Sequence, residues 1–239
     1  MTETTAMALT DHLTLLRRAL LRAAGVVLLL FIVFCVFSEK LYGLLALPLL
    51  HNLMPSSQMI ATHIAAPLIT PLKLAFYSAL FVGMPYCLWE LWHFVAPGMY
   101  HHEKKPLGRW VCSSIVLFYA GIAFAYFIVF PLVFGFFVKM TPAAVTFMPD
   151  MSQYLSFTLQ LFFAFGLAFQ VPVVTVFMIA SGITSKESLR RKRPFIIIGA
   201  FTLGMLLTPP DVVSQLLLAI PLWLLFEVGL LLASNKPNG

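Results

Sequence analysis

Charge is what this 239-residue sequence has least of. Only 10% of its residues are charged, whereas 61% are hydrophobic. Soluble domains average about 25% charged and about 45–50% apolar residues, so this composition excludes a water-soluble fold. A disordered chain is excluded for the same reason. The sequence therefore predicts an all-α polytopic membrane protein whose main surroundings are the lipid bilayer.

Cysteine and the common catalytic motifs are also scarce. The three cysteines, Cys35, Cys87 and Cys112, lie in apolar runs, and their odd number and irregular spacing exclude a disulfide framework. The sequence has no phosphate-binding loop, dinucleotide fingerprint, zinc-protease motif or nucleophile elbow. We therefore expect no enzyme activity, no cofactor, no metal site and no nucleic-acid partner. If the protein drives a transport process, the free energy must come from an ion gradient, a membrane potential or a partner protein.

Charge-free runs predict one membrane domain, 1–239, with six spans. A helix needs about 20 apolar residues to cross the hydrocarbon core. An amphipathic helix over about 9–22 should lead straight into the first span, and proline-rich Leu41–Leu72 should form a long structured loop with short helical pieces. The third span should tilt, protrude or kink near Pro131. The last two spans should be short and make the bundle concave. The spans are expected at about 23–38, 70–95, 110–138, 152–179, 194–207 and 212–233.

Basic residues predict the orientation of the spans. Most of the 15 Lys and Arg residues fall in the N-terminal flank, the loop between spans two and three, and the loop between spans four and five. Positive loops stay in the cytoplasm, so both termini should be cytoplasmic. Since no transit peptide precedes the first span, we expect a multi-pass protein of the bacterial cytoplasmic (inner) membrane.

Polar residues inside the spans are candidates for function because each costs free energy in hydrocarbon. Glu90 lies near the cytoplasmic end of the second span and is interpreted as an interface carboxylate. For Glu227, about two-thirds along the sixth span, an inward-facing role and an interface location are equally open. Gln170, two residues before Pro172, is expected to bond a neighbouring helix or a partner. An alternative function is a solute or ion transporter that uses Glu227 and Gln170, and a third is an intramembrane scaffold without a pocket.

The loop after the second span contains one acid among several bases. Glu103 is the only carboxylate between Phe94 and Lys105. It can form an exposed ion pair within the loop, which would contribute little stability. It can also receive an external guanidinium, which a carboxylate binds bidentately. Composition alone leaves both interpretations open.

Several runs of the chain form distinctive motifs in a fixed order. They are F-V-A-P-G-M-Y-H-H-E from Phe94 to Glu103, F-A-Y-F with F-P from Phe124 to Pro131, Y-L-S-F from Tyr154, F-G at Phe165, and G-M-L-L-T-P-P-D-V from Gly204 to Val212. With these motifs the chain resembles the TatC family, the multispanning receptor subunit of the twin-arginine protein translocase. The resemblance extends from about His12 to Glu227.

The resemblance implies six spans, cytoplasmic termini and binding of the twin-arginine signal peptides of folded proteins. TatA- and TatB-type single-span partners would support export driven by the protonmotive force, in an oligomeric complex. On the family's pattern, Glu103, Phe94 and Arg17 match the residues that receive the signal peptide. Pro48 matches a proline of the first external loop, and Asp211 matches the acid of the last external turn.

Two residues depart from the family's pattern. The family usually carries Glu in its N-terminal H-L-x-E-L-R segment, whereas this chain has Leu15, which cannot accept a hydrogen bond. A Glu is also common in the fourth span, where this chain has Gln170. An amide can still form hydrogen bonds, but it does not titrate.

Overall fold

The structure is a computed structural model that describes residues 2–52, 60, 62–95, 107–140, 150–207 and 212–233. Within these ranges the side chains of 2–12, 39, 42–52, 107, 138, 207 and 214 are outside the description. The described backbone is helical, with short turns and one isolated β-bridge between Ile60 and Asp150. The predicted all-α class is confirmed.

Nine α-helices and one π-helical turn, which spans Ala125–Val129, account for most of the described residues. The α-helices are α1 Thr2–Asn52, α2 Ala66–Val95, α3 Leu107–Phe124, α4 Phe130–Met140, α5 Met151–Ala168, α6 Val171–Ala180, α7 Lys186–Arg191, α8 Arg193–Leu207 and α9 Val212–Leu232.

The chain divides into two compact units. The first comprises Met1–Leu41 and Pro71–Ile115, and the second comprises Tyr42–Thr70 and Val116–Gly239. Most of α1 and α2 therefore belongs to the first unit, whereas α4 to α9 belong to the second. Among the described residues, five segments are long and apolar enough to cross a membrane: Leu13–Ser38, Ala66–Val95, Gly108–Phe137, Met151–Ala180 and Gln215–Leu232.

The first helix is longer than the sequence suggested. The amphipathic segment runs straight into the first span, as predicted, but α1 continues without a break to Asn52. The prediction that a loop begins at Leu41 is therefore wrong. The residues from Leu41 to Leu47 are mostly Leu and Ala, which favour a helix. Residue 48, the proline expected in an external loop, has a helical backbone, and its side chain lies outside the described residues.

Two prolines mark departures from regular α-helix in the middle spans. Immediately before Pro131, the N–H of Phe130 donates to the carbonyl of Ala125, which makes a π-helical turn. A break near Pro131 agrees with the sequence prediction, because proline removes one backbone donor. The predicted fourth span is likewise two helices, α5 and α6, since Pro172 cannot donate to the carbonyl of Ala168.

The last two spans differ in length. Helix α8 has 15 residues and is short, as expected. Helix α9 has 21 residues, and at about 1.5 Å per residue it reaches about 32 Å, which crosses a hydrocarbon core of about 30 Å. Shortness is therefore a property of α8 and not of the pair. The cytoplasmic termini and the concave bundle remain predictions.

The second unit packs closely where glycines face aromatic rings. A Cβ built at Gly121 would lie 2.5 Å from the carbonyl oxygen of Phe165, and one at Gly166 would lie 2.6 Å from a ring carbon of Phe118. Phe124 also packs against Phe165, with ring centroids 5.7 Å apart. The two glycines let helices α3 and α5 approach closely, as small residues do in membrane bundles.

Candidate functional site

The first unit presents an exposed N-terminal stretch of α1. Leu13, Leu15 and Arg17 are all exposed, whereas Ala19 is buried at 8% exposure. Arg17, a predicted signal-peptide residue, is therefore accessible. Leu15 gives this surface an apolar side chain at the place where the family's pattern has a carboxylate.

The C-terminal end of α2 is rich in aromatic residues that are fixed by specific contacts. Trp92 is buried, its indole N–H donates to the hydroxyl of Ser114 at 2.8 Å, and its ring stacks on Trp110 with centroids 5.8 Å apart. These contacts attach the end of α2 to the start of α3. Phe94, the predicted aromatic of the site, lies one residue before the end of α2 and is partly buried.

A buried carboxylate lies one turn before Phe94. Glu90 is only 2% exposed. Its Oε2 is 3.0 Å from Nη2 of Arg22 on α1, and its Oε1 accepts a hydrogen bond of 2.9 Å from the hydroxyl of Tyr86. Both carboxylate oxygens therefore have partners. Helix α1 thus covers Glu90. Its location at the membrane interface stays a prediction, and its burial against α1 was not predicted.

Two predicted site residues lie outside the described residues. Glu103, the expected guanidinium acceptor, falls between Val95 and Leu107, and Asp211 falls between α8 and α9. Their roles remain predictions. The described part of the site brings α1, which carries Arg17, against α2, which carries Phe94, through the Arg22–Glu90 ion pair.

The second unit contains the other candidate carboxylate, Glu227. Its Oε2 is 2.6 Å from Nη2 of Arg193, and its side chain is 19% exposed. Arg193 begins α8, and Glu227 lies in the second-last turn of α9. Nearby, Lys186 Nζ donates to the carbonyl of Ala233 at 2.9 Å. Glu227 thus joins the end of α9 to the start of α8 beside a basic segment, and its inward-facing or interface role remains a prediction.

Gln170 occupies the break between α5 and α6. It precedes α6 in the N-cap position, with its carbonyl accepting from the N–H of Val174, and its side chain is partly buried. Beside it an apolar groove of about 370 Å³ opens between α5, α6, α8 and α9. The groove is lined by Ala164, Phe165, Leu167, Ala168, Val171, Phe195, Ile196, Gly199, Ala200, Leu203 and Leu222.

A polar cluster at the start of α5 was not predicted. Asp150 caps α5 by accepting from the N–H groups of Ser152 and Gln153, each at 2.9 Å. Its other oxygen accepts from the backbone N–H of Thr62 at 2.9 Å and from the Thr62 hydroxyl at 2.7 Å. The backbone and hydroxyl donors of Thr62, followed by the helix donors, lower the pKa of Asp150 from 3.8 to about 2.

Sequence signals existed for some of these features. An Asp directly before a helix is a typical N-cap, so the role of Asp150 could have been read from its position. Its partner Thr62 is 88 residues away, and no local pattern indicates it. The burial of Glu90 likewise depends on packing of α1. Among the described residues no group of three or more His, Cys, Asp or Glu side chains could hold a metal ion.

The helices, their apolar lengths and their interhelical polar pairs define a multi-pass α-helical membrane protein. Residues 11–221 match the family model for the Sec-independent protein translocase protein TatC. The chain belongs to the TatC family, which makes it a component of a protein-transport system.

Relatives and solved structures agree with this assignment. TatC of Azotobacter chroococcum mcd 1 is 52% identical over 93% of this chain and 88% of that protein. TatC of Escherichia coli K12 is 48% identical over 92% of this chain and 86% of its own length. A crystal structure of the twin arginine translocase receptor TatC superposes with a TM-score of 0.86 at 33% identity, covering 93% of this chain and 97% of that one. The protein is a multi-pass inner-membrane protein.

Proposed function

We propose that the chain binds the twin-arginine signal peptides of folded precursor proteins and supports their export with TatA- and TatB-type single-span partners. The observation that best supports this is the arrangement in the first unit. There α1, with exposed Arg17, is joined by the Arg22–Glu90 pair to the end of α2, where Phe94 precedes the segment that carries Glu103. A charged and aromatic surface of this kind suits a peptide with two arginines next to an apolar stretch.

Glu103 is the proposed primary acceptor for one arginine of the signal peptide. A carboxylate and a guanidinium can form two parallel hydrogen bonds, which a lysine ammonium cannot reproduce. Phe94 offers a ring against which an arginine or an apolar side chain packs. Arg17 contributes positive charge to the same surface, which we propose orients the peptide by repelling its basic end.

The energy for export is proposed to come from the protonmotive force. The membrane potential supplies about 2.3 kcal/mol per elementary charge for each 100 mV. That source is consistent with a sequence in which none of the usual nucleotide-binding motifs occurs. The partner and the precursor, more than this chain, would carry the moving charge.

The partner helices are proposed to dock on the second unit, beside Gln170. The groove between α5, α6 and α8 is apolar, and Gln170 is the polar side chain nearest in sequence to its lining residues Ala168 and Val171. Helices in lipid associate through close packing and single hydrogen bonds, so this combination suits a single-span helix. Several copies of the resulting unit would form the oligomer.

Pro48, Asp211 and Glu227 are proposed to serve the scaffold. Pro48 would shape the end of α1, and Asp211 would cap α9 through its backbone N–H groups. Glu227 would hold α9 to the start of α8 through Arg193.

Site-specific photocrosslinking tests the proposal. A photoreactive residue at position 103 or 94 should crosslink to a bound twin-arginine signal peptide, and the yield should fall sharply with a twin-lysine peptide. The same probe at Glu187, an exposed acid on α7, is the matched control and should give no peptide crosslink. Equal crosslinking from positions 103 and 187, or equal yields with both peptides, would contradict the proposal.

A further inference from the structure

Glu90 is a buried carboxylate whose charged partner comes from the surface. Its side chain is 3% exposed, whereas the side chain of Arg22, which reaches it at 3.0 Å, is 60% exposed. Burying the Glu90 carboxylate costs desolvation free energy, which offsets its attraction to Arg22. The pair therefore invites a functional explanation in addition to a structural one.

The pair lies next to the proposed signal-peptide surface. Glu90 and Phe94 are four residues apart on α2, so they share a face and are separated by about 6 Å along the axis. On α1, Leu15 and Arg22 are seven residues apart and also share a face. The carboxylate of Glu90 thus lies about one helical turn beyond Phe94 on the same face, on the side away from the segment that carries Glu103.

Arg22 itself defines a route to this carboxylate. Most of its side chain is exposed while its guanidinium contacts Oε2 of Glu90, so the Arg22 side chain links the protein surface to the buried carboxylate. The hydrogen bond from Tyr86 holds the other oxygen and keeps the carboxylate oriented toward that route. An arginine of the peptide that reached this place would find a carboxylate already oriented to bind a guanidinium.

A twin-arginine peptide presents two guanidiniums, and one carboxylate serves only one of them well. Glu103 is the only acid in the segment between α2 and α3, and Leu15 on the exposed stretch of α1 cannot accept a hydrogen bond. Glu90 is the carboxylate that the described first unit places beside Phe94.

We infer that Glu90 is the second guanidinium acceptor of the signal-peptide site and that Arg22 is its internal occupant, displaced when the twin-arginine peptide binds. This inference rests on the proposed function. The exchange replaces one arginine by another, so the carboxylate is never left unpaired in the apolar interior. Displaced Arg22 turns to the protein surface, where most of its side chain is already exposed.

Two substitutions distinguish this exchange from a purely structural tie. Arg22→Ala removes the internal occupant and should raise the affinity of the full-length protein for a twin-arginine peptide about 3- to 10-fold, which is the size of one typical competing hydrogen bond. Glu90→Gln keeps an acceptor for Tyr86 but removes the charge, and should lower that affinity about tenfold. The double variant should resemble Glu90→Gln. Arg18→Ala, an exposed arginine one turn away on the same helix, is the control and should leave the affinity near wild type.

Peptide titration of the detergent-solubilised full-length variants gives the result. If Arg22→Ala lowers the affinity or leaves it unchanged, Arg22 and Glu90 form only a tie between helices and the inference is wrong. Should Arg22→Ala not fold, Glu90→Gln decides, because unchanged twin-arginine affinity in that variant also overturns the inference. Glu103→Ala separates this from the proposed function: if it abolishes discrimination between twin-arginine and twin-lysine peptides while Glu90→Gln leaves the twin-arginine affinity unchanged, the proposed function stands and the inference fails.

Discussion

Arg22–Glu90 and Arg193–Glu227 are both ion pairs between helices, yet their surroundings differ. In the first unit the carboxylate is 3% exposed and both its oxygens have partners. In the second unit the carboxylate is 19% exposed, and its Oε1 has no partner among the described residues. The first pair lies beside the proposed peptide surface, whereas the second lies where α8 begins. Identical residue types can thus hold an exchangeable site in one region and a structural tie in the other.

The two regions also differ in how tightly their helices pack. In the second unit, glycines Gly121 and Gly166 meet a backbone carbonyl and a phenyl ring at distances that leave no room for a methyl group. In the first unit, a Cβ at Gly83 would meet only side-chain carbons of Val27 and Leu30, at 3.2 and 3.4 Å. The contact of α1 with α2 at Gly83 is thus made by movable side chains, whereas Gly121 in the second unit meets rigid backbone.

The largest expected effect comes from breaking the structural pair. Arg193→Ala leaves the carboxylate of Glu227 without its cation and should lower the free energy of unfolding by roughly 2–4 kcal/mol. Peptide affinity should stay near wild type, in contrast to the change expected for Arg22→Ala. Thermal unfolding in detergent and peptide titration measure the two quantities. Arg191→Ala, an exposed arginine two residues earlier, is the control. Altered twin-arginine discrimination in Arg193→Ala would erase the distinction between the two pairs.

A second prediction sharpens the difference in packing. Gly121→Ala places a methyl group against the backbone of Phe165 and should lower the free energy of unfolding by roughly 1–3 kcal/mol. Gly83→Ala meets movable side chains and should cost less than about 1 kcal/mol. Gly135→Ala, which has nothing within 4 Å of its added Cβ, should be neutral or slightly stabilising in its helix. Equal losses at positions 83 and 121 would show that the two regions pack equally tightly.

Acid should weaken the second unit through Asp150. The folded-state pKa of this carboxyl is about 2, below its usual 3.8, so its stabilisation is fully present above pH 3.8 and is lost as the pH falls toward 2. Between these limits unfolding should become easier by roughly 1–2 kcal/mol in wild type. Asp150→Asn should be less stable at neutral pH and should lose this pH dependence. A wild-type stability that does not change between pH 4 and pH 2 would remove the role assigned to these hydrogen bonds.

The smallest expected effect concerns Asp211, in the segment between α8 and α9. Asp211→Ala should lower stability by roughly 0.5–2 kcal/mol if Asp211 caps α9, as its position before Val212 predicts. Asp211→Asn retains a capping oxygen and should recover most of the loss. The measurement is thermal unfolding of both variants together with transport of a twin-arginine precursor. If Asp211→Ala and Asp211→Asn are equally stable, Asp211 does not cap α9.

The sequence predicted what depends on long apolar runs and did not predict what depends on distant contacts. The helices follow from charge-free stretches, and the departure from regular α-helix near Pro131 follows from the missing proline donor. The division of the fourth span at Pro172 was not predicted, although it has the same cause. The predicted end of the first helix was wrong. The prolines after Leu41 predict a loop, but the Leu and Ala residues before residue 48 favour a helix, and α1 continues to Asn52. The burial of Glu90 could not be predicted, because it requires α1 to lie against α2.

The motifs identified the family of the protein, whereas composition indicated only a polytopic membrane protein. Runs such as G-M-L-L-T-P-P-D-V indicate the TatC family from the sequence alone, and the family model and the relatives confirm that assignment. Resemblance was less informative about this chain's own departures. Leu15 replaces an expected acceptor of arginine hydrogen bonds. The pattern of the family does not indicate that a buried carboxylate, Glu90, lies one helical turn from Phe94.

The most direct measurement is a titration of twin-arginine and twin-lysine signal peptides against wild type and Glu103→Ala. The account predicts that wild type prefers the twin-arginine peptide and that Glu103→Ala loses most of this preference. Leu15→Glu should tighten twin-arginine binding by at most roughly 1.5–3 kcal/mol, because it adds one charge-assisted hydrogen bond on an exposed surface. Equal affinity of all three proteins for the twin-arginine peptide would contradict the account and would mean that recognition lies elsewhere on the molecule.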